Sequence, residues 1–202
     1  MGAVVIDYGM GNVASVQKAL RFLQIDSVVS NDKTIIREAS ALILPGVGAF
    51  AQGMHNLHES GLVGVLHEEV LQNKKPFLGI CLGMQLLATT GTEPHTCQGL
   101  GWVAGTVRKM EDSVLRIPHL GWNTVERTRE SDIIQQDKTD CYFIHSYHFD
   151  AEDPNVVLAT VDYGKTYVAA IEQNNIFATQ FHPEKSQDAG LAMLKQFFQK
   201  YA

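Results

Sequence analysis

The sequence predicts an α/β protein with a central, mostly parallel sheet flanked by helices and an antiparallel, β-rich second half. In the first half, short runs of wholly apolar residues alternate with amphipathic segments, and tight glycine turns separate them. Such runs are typical of strands buried on both faces of a parallel sheet. After Gly101 the pattern changes to short β-rich runs separated by turns. A length of 202 residues suits one domain, which we expect to span residues 1–202.

Strands and helices of the first half follow from this alternation. Strands are expected at 3–6, 27–30, 41–45 and 76–80, and helices after Asn12, over 50–73 with a break near Gly61, over 82–90 and at the C-terminus. The first helix should begin after Asn12, because asparagine is a favoured N-cap and Val13, Val16 and Leu20 recur behind it at helical spacing.

In the second half we expect antiparallel strands that are added to the parallel sheet or lie beside it. The β-rich runs are 102–110, 114–118, 122–127, 141–149, 156–164, 166–172 and 176–181.

Composition excludes several classes of function. The formal net charge is −6 and the basic residues are scattered, which argues against a nucleic-acid-binding surface. No apolar run is long enough to span a membrane. Three cysteines without a framework spacing indicate reduced thiols and a cytoplasmic protein. The histidines have no metal-ligand spacing with Cys97 or Cys141, so we expect neither a metal nor another cofactor.

Cys81 stands where the strand 76–80 meets a helix, between Gly79 and Gly83. This arrangement is that of a nucleophile elbow, with cysteine where many hydrolases have serine. The glycines leave room for a sharp turn, and the helix N-terminus should stabilise a thiolate and offer backbone N–H groups to an oxyanion. The alternative is an inert cysteine packed in the core.

His182 and Glu184 follow another strand-like run, with Pro183 between them. Residues two apart in extended chain point to the same side, and the proline stiffens the pair. A carboxylate beside a histidine can hold one ring nitrogen's proton and leave the other to accept from a thiol. A surface turn is the alternative. Together with Cys81, this pair would supply a nucleophile, a base and an orienting acid.

The turn Gly46-Val47-Gly48 ends a third buried strand at the same predicted edge of the sheet. Its glycines leave the peptides around Val47 free to rotate, so an N–H there could form an oxyanion hole with the N–H of Leu82. The alternative is a simple tight turn.

These motifs together resemble the class I, triad-type glutamine amidotransferases, a flavodoxin-like α/β family. The resemblance is carried by PGVG, GICLGMQLL and QFHPEKS, in that order. IDYGMGN, PHLGWN and FIHSYHF narrow it to the glutaminase subunits of imidazole glycerol phosphate synthase, in histidine biosynthesis. It extends from about residue 4 to 198 and departs from the family's pattern in the loop 88–98.

The resemblance implies that Cys81 attacks the carboxamide of glutamine, His182 transfers the proton and Glu184 orients His182. Gln85 matches a residue that contacts bound glutamine, and the backbone around Ser146 and Tyr147 matches the segment that cradles its α-amino and carboxylate groups. Ammonia would pass through a channel to a (β/α)₈ cyclase partner in a heterodimer. The residues implied near this partner are Asn12, Trp122, Tyr142 and Lys185.

Three other functions stay open from the sequence. One is the glutaminase component of anthranilate or aminodeoxychorismate synthase, against which PHLGWN and YGMGN argue. Another is a stand-alone γ-glutamyl cysteine hydrolase, which would turn over without a partner. The third is an inactive scaffold, which would show no glutaminase activity in any complex.

Overall fold

A computed structural model describes residues 2–111 and 115–201 of the chain. Its α-helices are α1 (Val13–Phe22), α2 (Lys33–Glu38), α3 (Phe50–Glu59), α4 (Leu62–His67), α5 (Leu82–Gln85) and α6 (Gln187–Tyr201). A π-helical turn (Glu68–Gln72) continues α4, and 3₁₀ turns lie at Pro154–Val156 and Pro183–Lys185.

The strands follow the predicted alternation with helices in the first half and succeed one another in the second. They are β1 (Ala3–Ile6), β2 (Ser27–Ser30), β3 (Leu42–Gly46), β4 (Phe77–Cys81), β5 (Thr90–Gly91), β6 (Cys97–Gln98), β7 (Gly105–Lys109), β8 (His119–Arg127), β9 (Lys138–His145), β10 (Tyr147–Ala151), β11 (Val157–Asp162), β12 (Thr166–Gln173) and β13 (Ile176–Thr179).

Nine of the strands in the described part of the chain form one mixed sheet, in the order β2-β1-β3-β4-β13-β12-β11-β8-β9. The pairings from β2 to β13 are parallel and those from β13 to β9 are antiparallel. The predicted parallel sheet is therefore confirmed for one half of this sheet, and antiparallel strands extend it. Because β13 lies beside β4 and parallel to it, the carboxyl ends of these two strands, about 100 residues apart in the sequence, lie at the same edge of the sheet.

A smaller four-stranded sheet, in the order β10-β7-β5-β6, lies beside the first. Val107 and Phe149 from this sheet are fully buried and share a core cluster with Leu82 and Leu86, which follow β4. The small sheet therefore packs against the segment that carries Cys81.

The start of α1 is as expected, since the Asn12 side chain accepts a hydrogen bond from the backbone N–H of Ser15 at 3.2 Å. The helix expected over 82–90 is wrong in length, because α5 ends at Gln85. The carbonyls of Leu86 and Leu87 accept instead from the backbone N–H groups of Leu100 and Trp102, which draws this stretch into the loop before β7.

Two expected strands also differ. The run 141–149 is divided at Ser146, where the chain leaves the nine-stranded sheet and enters the smaller one as β10. In the run 114–118, residue 114 lies outside the described residues and 115–118 form no strand; β8 begins at His119 instead.

Candidate active site

Cys81 lies at the carboxyl end of β4. Its backbone conformation, with φ +54° and ψ −109°, is one that residues other than glycine rarely adopt. Such strain persists only where the surroundings enforce it, and it is common at functional sites. The residue is 6% exposed. The predicted elbow is present in the structure.

Both glycines beside the elbow are required by close backbone contacts. A Cβ on Gly83 would overlap the carbonyl oxygen of Leu44 in the neighbouring strand β3. A Cβ on Gly79 would come within 2.9 Å of the carbonyl oxygen of Gly83. Strand and helix can therefore meet at this angle only if neither position carries a side chain.

His182 and Glu184 form a buried pair just after β13. The extended backbone expected for both residues is found at His182 only, because Pro183–Lys185 form a 3₁₀ turn that brings Glu184 beside the ring. Glu184 Oε1 lies 2.8 Å from His182 Nδ1, and both side chains are almost fully buried. The backbone N–H of His182 donates to the carbonyl of Tyr142, and its own carbonyl accepts from the Ser186 hydroxyl at 2.7 Å. These two bonds hold the backbone N–H and the carbonyl of His182 in place, and the bond to Glu184 orients its ring.

The protonation of His182 depends on its two neighbours. Burial alone would lower the pKa of His182, but its interactions with Cys81 and Glu184 outweigh this and raise the pKa well above its usual value. Its Nε2 is buried and has no hydrogen-bond partner among the described residues. With Nδ1 held by Glu184, this nitrogen is the one available to exchange a proton with the thiol.

A cavity of about 370 Å³ opens in front of Cys81. Six of the seven predicted substrate residues line it: Val47, Gly48, Leu82, Gln85, Ser146 and Tyr147. Gly46 is not among the lining residues; it pairs with Cys81 in the register of β3 and β4. Gly48 has φ +109°, so the turn that follows β3 uses the conformational freedom of glycine.

Two buried histidines, His145 and His119, support one wall of the cavity through a chain of hydrogen bonds. His145 Nδ1 lies 2.8 Å from the Tyr147 carbonyl oxygen, which can only accept, so Nδ1 carries the proton. His145 Nε2 then accepts from His119 Nδ1 at 3.0 Å, and His119 Nε2 accepts from Asn123 at 3.2 Å. Burial lowers the pKa of His119 to about 4 and that of His145 to about 3, so both rings are neutral near pH 7.

Sequence reasoning missed two polar residues of this site. Glu93, in the atypical loop 88–98, lines the cavity and accepts a hydrogen bond from the backbone N–H of Phe50. Burial raises the pKa of its carboxyl group, and the Phe50 bond partly offsets the rise. Gln180, fully buried, lies 3.7 Å from the sulfur of Cys81. The one feature of the sequence that could have indicated a role for Gln180 is its position two residues before His182.

Three of the four predicted partner residues are in ring or cation–π contact. Trp122 and Tyr142 lie on the adjacent strands β8 and β9 with their rings 6.0 Å apart, and the Lys185 ammonium lies 5.9 Å from the Tyr142 ring. Asn12 lies at the start of α1, where its side chain caps the helix, and α1 packs against the turn Pro183–Lys185, which carries Lys185.

Exposed apolar side chains near the mouth of the cavity form an apolar rim, which shares Trp122 with this group. Its members are the exposed residues Val47, Leu120, Trp122 and Ile144. Leu120 pairs with Ile144 across β8 and β9, and Val47 and Ile144 also line the cavity. The rim is thus continuous with the cavity mouth.

Within residues 2–111 and 115–201, no three His, Cys, Asp or Glu side chains are grouped so that they could hold a metal ion. Over the same ranges, no helix combines the length and the apolar character needed to cross a membrane.

Comparisons with known proteins agree with this geometry. Residues 4–201 match the family Glutamine amidotransferase class-I. The imidazole glycerol phosphate synthase subunit HisH of Aquifex aeolicus is 48% identical over 203 residues, covering 99% of this chain and 97% of the relative. Subunit HisH 1 of Campylobacter jejuni (strain RM1221) is 44% identical, covering 95% and 96%.

Solved structures share the fold at lower identity. A crystal structure of a glutamine amidotransferase is 22% identical with a TM-score of 0.76, and covers 98% of this chain and 100% of its own. The structure of PurLQS from Thermotoga maritima is 17% identical with a TM-score of 0.73 and full coverage of both chains. With the elbow, the buried His–Glu pair and the family match in agreement, this chain belongs to the class I glutamine amidotransferases.

Proposed function

We propose that this chain hydrolyses glutamine to glutamate and ammonia as the glutaminase subunit of imidazole glycerol phosphate synthase. The observation that carries the proposal is that Cys81, which lines the cavity, interacts with the buried His182–Glu184 pair. Nearly full-length relatives at 40–48% identity that are named as this subunit support the choice over the anthranilate and aminodeoxychorismate synthase components.

In the first step, the Cys81 sulfur attacks the side-chain carbonyl carbon of glutamine and its proton passes to His182 Nε2. The negative charge that develops on the carbonyl oxygen is stabilised by the backbone N–H of Leu82 and by an N–H of the turn 46–48. His182 then donates its proton to the departing nitrogen, the C–N bond breaks, and ammonia and a γ-glutamyl thioester remain.

In the second step, water replaces the thiol. His182 takes a proton from the water as it attacks the thioester, and returns that proton to the sulfur when the C–S bond breaks. Glutamate is released and Cys81 is regenerated. Throughout both steps Glu184 accepts the hydrogen bond from Nδ1 and stabilises the imidazolium form of His182.

Recognition of the substrate's α-ammonium group requires acceptors in the cavity. Gln85 uses its Nε2 hydrogens on the Tyr147 carbonyl and on Gln180, which leaves its Oε1 to accept. Glu93 adds a carboxylate to the same cavity. We expect Glu93→Gln to raise KM for glutamine about tenfold with a smaller effect on kcat; an unchanged KM would remove Glu93 from the binding site.

The acceptor of the ammonia is a (β/α)₈ cyclase subunit, with which this chain forms a heterodimer. The apolar rim and the group formed by Trp122, Tyr142 and Lys185 support this, because an exposed aromatic and apolar surface beside a catalytic cavity is typical of a protein interface. Asn12 is included in the proposed interface. The complex would work in the cytoplasm, in keeping with three free cysteines, and residues 1–202 would form one glutaminase domain.

The proposal is tested by mixing the chain with the cyclase subunit and supplying nitrogen as glutamine or as an ammonium salt. We expect Cys81→Ala to abolish glutamine-dependent synthesis and leave ammonium-dependent synthesis intact. Cys97→Ala is the matched control, since this cysteine is outside the cavity lining, and it should retain both activities. Glutamine-dependent synthesis by Cys81→Ala would refute the assigned nucleophile.

A further inference from the structure

The thiolate form of Cys81 has His182 as its charged partner, and the other groups around the sulfur determine how far that form is favoured before it attacks. The helix that follows it, α5, has only four residues, so few peptide dipoles are aligned behind the sulfur. The carbonyl oxygen of Ile144 lies 3.9 Å from the sulfur, and a carbonyl can only accept. This contact favours the protonated thiol, so a donor in addition to His182 would favour the thiolate.

Gln180 provides such a donor. Its side-chain Nε2 lies 3.7 Å from the Cys81 sulfur, within hydrogen-bond reach for this larger atom. The residue is fully buried, and its backbone N–H donates to the carbonyl of Ala169 at 2.8 Å. The side chain is therefore anchored close to the nucleophile and shielded from water, where a hydrogen bond to a charged atom is strongest.

The orientation of the Gln180 amide is determined by its neighbours. The Tyr147 carbonyl oxygen can only accept, so the group that Gln85 places 2.9 Å from it must be Nε2. The same Nε2 lies 3.0 Å from Gln180, which must present its Oε1 to receive the second hydrogen. Gln180 Nε2 is then the group directed at the sulfur of Cys81.

We propose that Gln180 is a further catalytic residue, whose side-chain N–H donates to the Cys81 sulfur and stabilises the attacking thiolate. Gln85 acts on it as a positioning residue by holding its oxygen. The hydrogen bond stabilises the thiolate more than the thiol, because sulfur accepts strongly only when it is charged. This inference rests on the proposed role of Cys81 as the nucleophile.

The test measures the thiolate directly, in the full-length chain, through the pH dependence of Cys81 alkylation by iodoacetamide. Mass spectrometry of the Cys81 peptide separates its reaction from those of Cys97 and Cys141. Gln180→Met keeps the side-chain length and removes the donor. We expect the pH of half-maximal reactivity to rise by about one unit, and kcat/KM for glutamine at neutral pH to fall about tenfold.

A second variant separates hydrogen bonding from packing. Gln180→Glu keeps the shape and the acceptor for Gln85 but turns an oxygen toward the sulfur, so its shift should exceed that of Gln180→Met. Thr179→Val is the control, because the Thr179 side chain is equally buried but donates to the Phe181 carbonyl, away from the sulfur. We expect the alkylation profile of the control to match that of the unmodified chain.

Identical alkylation profiles for Gln180→Met, Gln180→Glu and Thr179→Val would overturn the inference. If a Gln180 variant does not fold, Gln85→Met provides the same test, since loss of the orienting donor should also move the profile upward. Failure of the proposed function is a separate result: it would appear as glutamine hydrolysis by Cys81→Ala, whatever the alkylation profiles.

Discussion

The two sides of the candidate site are held by different means. On the nucleophile side, backbone conformation and glycine place Cys81, with φ +54° at the elbow and Gly79 and Gly83 packed against backbone atoms. On the base side, side-chain hydrogen bonds place the reactive group, through Glu184 on the His182 ring and Ser186 on the His182 carbonyl. We therefore expect an added side-chain atom at Gly79 or Gly83 to disrupt the fold on the nucleophile side, whereas a change of the hydrogen-bonding group at Glu184 should alter the chemistry and leave the fold intact.

The largest expected effect comes from Gly83→Ala. Its Cβ would overlap the Leu44 carbonyl oxygen, so β3 and α5 must separate. We expect a loss of about 3 kcal/mol or more in the free energy of unfolding and more than 100-fold in glutaminase activity. Urea unfolding measures the stability, and glutamine hydrolysis in the complex measures the activity.

The control is Gly64→Ala, in α4 with open space around its Cβ, which should be neutral or stabilising by about 1 kcal/mol. Equal stability for both variants would contradict the steric account.

Glu184→Gln probes the base side. An amide can donate to Nδ1 and so favour the wrong tautomer of His182, and we expect about a 100-fold loss of kcat with little change in stability. Because Glu184 helps to raise the pKa of His182, its loss should move the His182 limb of the pH–rate profile to lower pH. Glu38→Gln, at an exposed position of α2, is the control. An unchanged pH profile would show that Glu184 does not act on His182.

The buried pair His119–His145 should make stability depend on pH. Their pKa values of about 4 and about 3 lie below the ordinary value, so between about pH 6.5 and 3 the unfolded chain binds more protons than the folded one. Stability therefore falls as pH falls through this window. His119→Phe should be less stable by about 2 kcal/mol at pH 7 and lose less on acidification. Urea unfolding at several pH values measures this, and His55→Gln, exposed on α3, should follow the unmodified chain.

The smallest effect concerns the surface outside the cavity. Trp122→Ala removes an exposed ring from the proposed interface and should weaken binding of the cyclase subunit by about 1–2 kcal/mol, without changing the chain's own stability. Calorimetry with the purified partner measures this affinity. Val28→Ala, exposed on β2 at the opposite edge of the sheet, should bind normally. Equal affinities for the two variants would place the partner elsewhere.

Much of the parallel half of the fold could be predicted from sequence, because its signals are local. Asn12 and the apolar spacing behind it mark the start of α1, and the apolar runs mark β1, β3 and β4. The length of α5 was not predictable. The stretch 82–90 is apolar enough for a longer helix, and it is the N–H groups of the loop 100–103 that take its carbonyls.

The site residues that belong to a sequence motif could be predicted. Those that reach the site only through tertiary contacts could not. Cys81, His182 and Glu184 lie in motifs with a chemical reason for their spacing. The role of Gln180 depends on its contacts with Cys81 and Gln85, which are 99 and 95 positions away in the sequence. Glu93 reaches the cavity from a loop whose sequence departs from the family pattern.

The most direct test of the account is to trap the covalent intermediate. The complex with the cyclase subunit, turning over labelled glutamine, is quenched with acid and its peptides are mapped by mass spectrometry. We expect a γ-glutamyl thioester on the peptide that contains Cys81, and no label in Cys81→Ala. Label on a different residue, or continued hydrolysis of glutamine by Cys81→Ala, would contradict the assignment of Cys81 as the nucleophile.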